Sequence, residues 1–376
     1  MRLVAALIFV LIAGSTWAQE DPAAAARAAA ARLDQAALQL SQAETARNRV
    51  KALSETILAY EDGLRALRIG LRQVAIREQT LAGDLQSRES EISQLLGVLM
   101  SMDSAPSPVL LLHPAGPMGT ARSGMIMAEV TPALNAQAAD LREILLEVSA
   151  LREVRQNAAN TLQGGLSGAQ NARTELSQAI SERKDLPRRF TEDPVKTALL
   201  IASTETLTDF AAGLSDIAID EAPGSLPGIE GRKGDLPLPV QGRILHRAGE
   251  ADAAGIIRPG IVMVTAPYAL VTTPAAATLR YSGPLLDYGN VIILEPQSGI
   301  LLVLAGLDVV YGQAGEVLPG GSPVGLMGGI DGQSGADLLQ TVQETTTAKA
   351  KTLYIEVRQD NSPVDPELWF KTDKGE

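Results

Sequence analysis

From Val50 to Leu99 the apolar residues return on alternating steps of three and four: Val50, Leu53, Ile57, Tyr60, Leu64, Leu67, Leu71, Val74, Leu81, Leu85, Ile92, Leu95 and Leu99. A period of 3.5 residues held over about seven heptads keeps one narrow stripe facing a partner helix, the pattern of a coiled coil. Glu78 and Arg88 interrupt the stripe with charge. At ~1.5 Å per residue these residues alone span roughly 75 Å. The surrounding stretch, Asp21 to about Ser101, is rich in Ala, Leu, Gln, Glu and Arg, and after Pro22 its only breakers are Gly63, Gly70, Gly83 and Gly97. It reads as one helical arm.

The pattern fails at Asp103–Gly124, where Pro106, Pro108, Pro114, Gly116, Pro117 and Gly119 surround Val109-Leu110-Leu111-Leu112. It resumes through Leu134, Leu141, Leu145, Val148, Leu162, Leu166, Leu176 and Ile180 to about Arg183, weakened locally by Gly164, Gly165 and Gly168. Two arms of similar length around one turn predict an antiparallel hairpin over residues 19–190 with its tip at about 101–125. The stripes serve mutual packing. Val109–Leu112 at the bend is either a self-packed cap or a docking patch, and the sequence leaves both open.

Pro187 and Thr191-Glu192-Asp193-Pro194 end the second arm and open a third helix, with Thr191 or Asp193 as N-cap. Leu200, Leu207, Phe210, Leu214 and Ile217 share one face of Val195–Ile219. An isolated helix of that length is marginal in water, so the face must bury itself. Its two candidate seats are the rod base and a groove of the C-terminal domain. Residues 220–235, with Pro223, Gly224, Pro227, Gly228, Gly231 and Gly234, read as a flexible linker. From Leu236 short β-rich runs separated by Gly and Pro (Gly260–Thr265, Leu270–Thr272, Val291–Leu294, Ile300–Leu304) predict a compact all-β domain over 236–376. Gly328–Lys349, rich in Gly, Gln and Thr, reads as a loop before the last strand.

Several chemistries are excluded by inventory. The 376 residues contain no Cys and only two His, His113 and His246, which rules out thiol catalysis, thiolate metal sites and a His-rich zinc site. A net charge of −12 without a basic block argues against nucleic acid as a partner. Met1–Ala18 combines Arg2, the apolar run Leu3–Ala13 and small residues at Thr16 and Ala18, the pattern of a cleaved secretory signal too short to span a membrane. The expected location is a bacterial periplasm, with nothing membrane-spanning after cleavage.

The ordered segments Pro237-Leu238-Pro239-Val240-Gln241-Gly242, Arg258-Pro259-Gly260-Ile261, Tyr281-Ser282-Gly283, Asp287-Tyr288-Gly289-Asn290-Val291, Gly321-Ser322-Pro323-Val324-Gly325 and Leu353-Tyr354-Ile355-Glu356-Val357-Arg358 resemble a LytM-type domain, the lasso-type metalloendopeptidase of cell-wall enzymes. Where active members carry His-x-Gly-x-Asp, this chain has Arg258 and Val262. Where they carry His-Leu-His-Phe-Glu, it has Thr352-Leu353-Tyr354-Ile355-Glu356, and a further catalytic His corresponds to Gly306. Zinc hydrolysis needs about three N or O donors and an open site for water. The resemblance therefore implies a degenerate domain with no metal ligands, no catalytic residues and no cofactor.

Signal, coiled-coil hairpin and degenerate LytM domain together are similar to the EnvC family of murein hydrolase activators. That resemblance implies a non-catalytic activator of periplasmic N-acetylmuramoyl-L-alanine amidases in daughter-cell separation, controlled by FtsEX through the coiled coil. The amidase's inhibitory helix would enter the vacated groove, at Arg258, Val262, Tyr288, Val291, Tyr354 and Arg358. The FtsX periplasmic domain would meet the tip residues Val109, Leu110, Leu111 and Leu112. An autoinhibitory helix in the groove would be Val195–Ile219. For Val262, Val291 and Tyr354 ordinary sheet core is the competing reading, and for Arg258 and Arg358 a solvated charge. Peptidoglycan is a further candidate partner, and a peptidoglycan-binding scaffold without amidase activation is the alternative function.

Overall fold

A computed structural model of the chain describes residues 22–88, 93–94, 97, 116–183, 186–214, 226, 228–252, 255–329 and 351–372. The signal segment 1–18, the apolar tip Val109–Leu112 and nearly all of the loop 328–349 lie outside the described residues. Among the described residues no helix is long and apolar enough to cross a membrane.

The first helical arm is two helices, α1 (Pro22–Ser41) and α2 (Ala46–Ser87). Thr45 ends the continuity expected from composition: its extended backbone and its hydroxyl, which accepts from the Asn48 N–H at 3.2 Å, cap α2. The chain reverses there, and α1 returns along α2. Ala29 and Ala36, one heptad apart, are buried, and Arg32 reaches Asp62 at 2.6 Å. Small side chains let the two backbones approach closely.

The second arm is α3 (Gly116–Glu182). It begins inside the stretch expected to be the tip, because Pro117 stands in its first turn, where a missing N–H costs nothing. Pairing partners fall as α2 numbers rise: Glu61 meets Arg173 at 3.1 Å, Glu78 meets Arg152 at 3.0 Å and Arg155 at 2.7 Å, and Arg77 meets Glu147 at 2.8 Å. The hairpin is therefore antiparallel. Leu64, Leu71, Leu162 and Ala169 form its inner seam, with Tyr60, Leu67 and Leu166 partly buried beside them. Glu78, the charged interruption of the heptads, is buried between two arginines and pins the register. A Cβ at Gly168 would stand 2.5 Å from the Tyr60 hydroxyl, so a larger residue there would have to displace the Tyr60 ring.

The C-terminal part is all-β and antiparallel. Its strands are β1 (Gly242–His246), β2 (Ile261–Thr265), β3 (Leu270–Thr272), β4 (Ala277–Pro284), β5 (Asn290–Gln297), β6 (Ile300–Leu307), β7 (Val309–Val310), β8 (Val317–Leu318), β9 (Pro323–Leu326), β10 (Thr352–Gln359) and β11 (Ser362–Val364). The main sheet runs β1-β2-β10-β6-β5-β4-β8, with β11 paired to β10; a small sheet runs β3-β9-β7. One face of the main sheet buries Ile261, Met263, Leu279, Leu294, Leu304 and Ile355 against the small sheet, Trp369 and Phe370. Strands β5 and β6 are apolar on their other face too, so that face also needs a cover.

The cover is α4 (Pro194–Ser203) and α5 (Leu207–Gly213). Asp193 caps α4, accepting from the Val195 and Lys196 N–H groups at 3.0 and 3.2 Å. The single helix expected over 195–219 is broken at Thr204–Thr206, because Thr206 caps a second start, accepting from the Asp209 N–H at 3.0 Å. The two helices touch at Gly213, where a Cβ would meet Leu200 at 2.6 Å.

Rod and β domain share a core. Val50, Leu53, Ile57, Ala172, Leu176 and Ala179 bury themselves with Leu270, Tyr311 and Leu326. Glu61 also accepts from the Leu270 N–H at 3.0 Å, and Ser177 bonds the Tyr311 hydroxyl at 2.8 Å. A strap of residues 186–190 joins α3 to α4 along the sheet edge: Arg189 N–H donates to Gly315 O at 2.8 Å and Val317 N–H to Pro187 O at 2.9 Å. Glu295 receives Arg280 at 2.6 Å and Arg189 at 3.7 Å, while Phe190 lies 4.9 Å beneath the Arg280 guanidinium. Part of the expected linker is likewise seated. Ile229 is buried and its N–H donates to Gln297 at 2.9 Å, and Leu236 bridges Phe370.

Candidate functional site

The register of the main sheet places one row of residues across four strands. Val262 on β2 pairs with Tyr354 on β10, Tyr354 with Ala305 on β6, and Ala305 with Val291 on β5. Directly paired residues share a face, so Val262, Tyr354 and Val291 of the expected groove lie side by side. The next rows on that face are Glu356–Val303–Ile293 and Arg358–Leu301.

The helices α4 and α5 fill part of this face. Leu207, Phe210, Ala211 and Leu214 pack on Tyr281, Leu285, Val291, Ile293, Leu301, Val303 and Ala305, with Leu200, Ile201 and Tyr354 at the margin. Phe210 is 0% exposed and meets Tyr281 edge to face, centroids 4.8 Å apart. Of the two seats left open by the sequence, the third helical segment thus takes the β-domain face. The opposite end of the row stays accessible: Val262, Arg258 and Tyr354 are half-buried, and Thr352, Gly306 and Tyr288 are exposed.

Three groups on β10 form a polar chain on the same sheet face. Tyr354 donates to Glu356 Oε2 at 2.7 Å and accepts from the Gly260 N–H at 3.1 Å; Arg358 donates to Glu356 Oε1 at 2.7 Å and to the Asn361 carbonyl. Glu356 and Arg358 are each 2% exposed. Burial, with Glu356 beside it, pushes the Tyr354 phenol well above the ordinary tyrosine range, so it stays a proton donor. Arg358 is therefore neither a solvated charge nor a free groove guanidinium, since its partner Glu356 lies two residues away on the same face. Tyr288 sits in a short turn, within electrostatic range of Tyr354.

Four of the five positions where the resemblance puts donors are neighbours. Val262 faces Tyr354, Thr352 precedes Tyr354 by one same-face step, and Gly306 lies against the Thr352 backbone. Arg258 stands two residues before Gly260 and is paired to Asp252 at 2.6 Å. Gly306 has φ +95°, and a Cβ there would come 2.7 Å from the Thr352 carbonyl oxygen. A side chain at that place needs the backbone to move first. Among the described residues no cluster of three or more His, Asp or Glu could hold a metal.

The groove residues unnamed by sequence reasoning are Tyr281, Leu285, Ile293, Leu301, Val303 and Ala305. For Ile293, Leu301 and Val303 the signal was present in the runs Val291–Leu294 and Ile300–Leu304, whose lack of alternation means two covered faces; Tyr281, Leu285 and Ala305 lie outside those runs.

No family model matches the chain. The uncharacterized protein NMB1333 of Neisseria meningitidis serogroup B is 27% identical over 149 residues, 39% of this chain and 22% of that protein, so the match spans about a fifth of that relative's length. Solved structures that overlay on the chain include Helicobacter pylori Csd3 (17% identity, TM-score 0.28, 38% of this chain and 36% of that one). A putative peptidase M23 from Pseudomonas aeruginosa overlays with 17% identity and TM-score 0.29, over 39% of this chain and 53% of that one. The catalytic domain of the antimicrobial peptidase lysostaphin from Staphylococcus simulans does so with 15% identity and TM-score 0.26, over 33% and 89%. Overlaps of this depth state a similarity and nothing about chemistry.

Proposed function

We propose that the chain is a non-catalytic, EnvC-like regulator whose degenerate LytM-type β domain captures a helix of a peptidoglycan amidase. The observation that carries this reading is the sheet face itself. It is apolar, it is built for a helix, and its present occupant is a short helical pair of the same chain. A fully buried Phe packed edge to face on Tyr281 among aliphatic side chains has the composition of a helix-in-groove contact. The neighbouring Arg258, Val262, Gly306, Thr352 and Tyr354 offer no nitrogen or carboxylate set for zinc.

In this reading α4–α5 holds the groove closed, and removing it admits the inhibitory helix of an N-acetylmuramoyl-L-alanine amidase. Arg258, Val262, Tyr288, Val291 and Tyr354 then line the contact. The hairpin transmits control from FtsEX, with Val109–Leu112 meeting the FtsX periplasmic domain, and Met1–Ala18 directs export to the periplasm. The strap at residues 186–190 gives rod movement a direct covalent route to the cover.

The test is dye release from labelled peptidoglycan by the chain, by the organism's amidase and by their mixture, each with and without a loosened cover. Silence from the chain alone and release by the mixture that rises when the cover is loosened is the expected result. Chelator-sensitive release by the chain alone would mean an active endopeptidase. No stimulation in any mixture would favour a peptidoglycan-binding scaffold.

A further inference from the structure

A cavity of about 440 Å³ lies between rod and β domain, bounded by α2, α3, β1 and the loop from β2 to β3. Four arginines line it: Arg65 and Arg68 from α2, Arg173 from α3 and Arg243 from β1. One carboxylate, Glu61, stands among them. In a chain of net charge −12 this is a local reversal of sign.

The four guanidiniums are not equally engaged. Arg173 is held by Glu61 at 3.1 Å and lies 6.0 Å from the centre of the Tyr268 ring. Its side chain is 12% exposed, and its buried Nε has no partner. Arg65 turns partly to Gln241 and Asp62. Arg68 and Arg243 make no ion pair among the described residues, and burial alone pulls the Arg68 guanidinium below its usual range. Arg68 is half-buried, and a half-buried cation without counter-charge is costly unless an anion joins it, whereas Arg243 is exposed. Guanidinium forks match carboxylate and phosphate oxygens in pairs. The volume falls within the ~300–1,000 Å³ of small-molecule sites.

We propose that this cavity binds a small ligand bearing at least two anionic groups, carboxylates or phosphates, with Arg68 and Arg243 contacting it and the Arg173–Glu61 pair forming the wall. The site draws residues from both rod and β domain, so an occupant ties them together. It needs nothing from the sheet-face groove.

Calorimetric titration of the full chain at low salt, with inorganic pyrophosphate and separately with propane-1,2,3-tricarboxylate, tests this. Saturable binding is expected, weakened about tenfold or more by Arg68→Gln and by Arg243→Gln. It should be unchanged by Arg72→Gln, an exposed arginine of α2 outside the cavity. Binding of pyrophosphate alone assigns the site to phosphate-bearing ligands, of tricarboxylate alone to carboxylate-bearing ones. The proposal is overturned by no saturable heat from either probe, by equal weakening in Arg72→Gln, or by acetate binding as tightly as the two polyanions.

Discussion

Phe210→Ala separates the cover from the domain beneath it. Phe210 is fully buried, packed edge to face on Tyr281, and contributed by a helix of seven residues. Truncating a buried Phe costs about 3–5 kcal/mol. At about 1.4 kcal/mol per factor of ten, the open population of the cover should rise by roughly two to nearly four powers of ten. Helices of ten and seven residues are well below the ~12–15 needed to persist alone, so an undocked cover also loses its helical hydrogen bonds. Amide hydrogen exchange reads this directly. Amides of α5 should exchange faster by that factor, while those of β5, β6 and β10 keep their protection. Val195→Ala, on an exposed residue of α4, should change nothing. Acceleration spread equally over α5 and the strands would show that Phe210 stabilises the domain as a whole, and the separable cover would be wrong.

Arg358→Met should destabilise the β domain by about 3–5 kcal/mol in denaturant unfolding, because it leaves the Glu356 carboxylate buried with Tyr354 as its remaining side-chain partner. Adding Glu356→Gln should restore much of that loss, and an additive double mutant would contradict the coupling. Burial raises the Glu61 carboxyl above its usual 4.5, against the pull of Arg173, so the folded chain holds that proton more tightly than the unfolded one. The resulting stability is full below pH 4.5 and lost as pH rises through the folded value. Glu61→Gln should flatten that decline in melting temperature, and an unchanged slope would remove Glu61 as its source.

Much of the helical rod was readable from spacing, because a 3.5-residue stripe admits few other uses. Val50, Leu53, Ile57, Leu64, Leu71 and Leu81 are buried as the stripe demands. The reversal at Thr45 and the break at Thr206 were not read. A single hydroxyl accepting one N–H at a helix start leaves composition and periodicity untouched. In the β domain, strand existence was legible but facing was not: Ile300–Leu307 is apolar throughout, so period-2 logic could not say which side met the cover. Tyr354 and Val291 were placed together through resemblance alone. The internal pairing of Arg358 depends on Glu356 sharing its strand face, a relation visible in the spacing of two only once β10 is known to be a strand.

Gly306 bears on how such a domain could change over time. Its left-handed backbone and the 2.7 Å approach to the Thr352 carbonyl are properties of how β6 and β10 lie against each other, not of any one side chain. A histidine placed at 306 would have no room until that backbone shifts. Introducing donors at 258, 262, 352 and 354 would therefore leave the fifth position shut until β6 and β10 shift. Position 306 is thus held by main-chain geometry, which point substitutions release least easily.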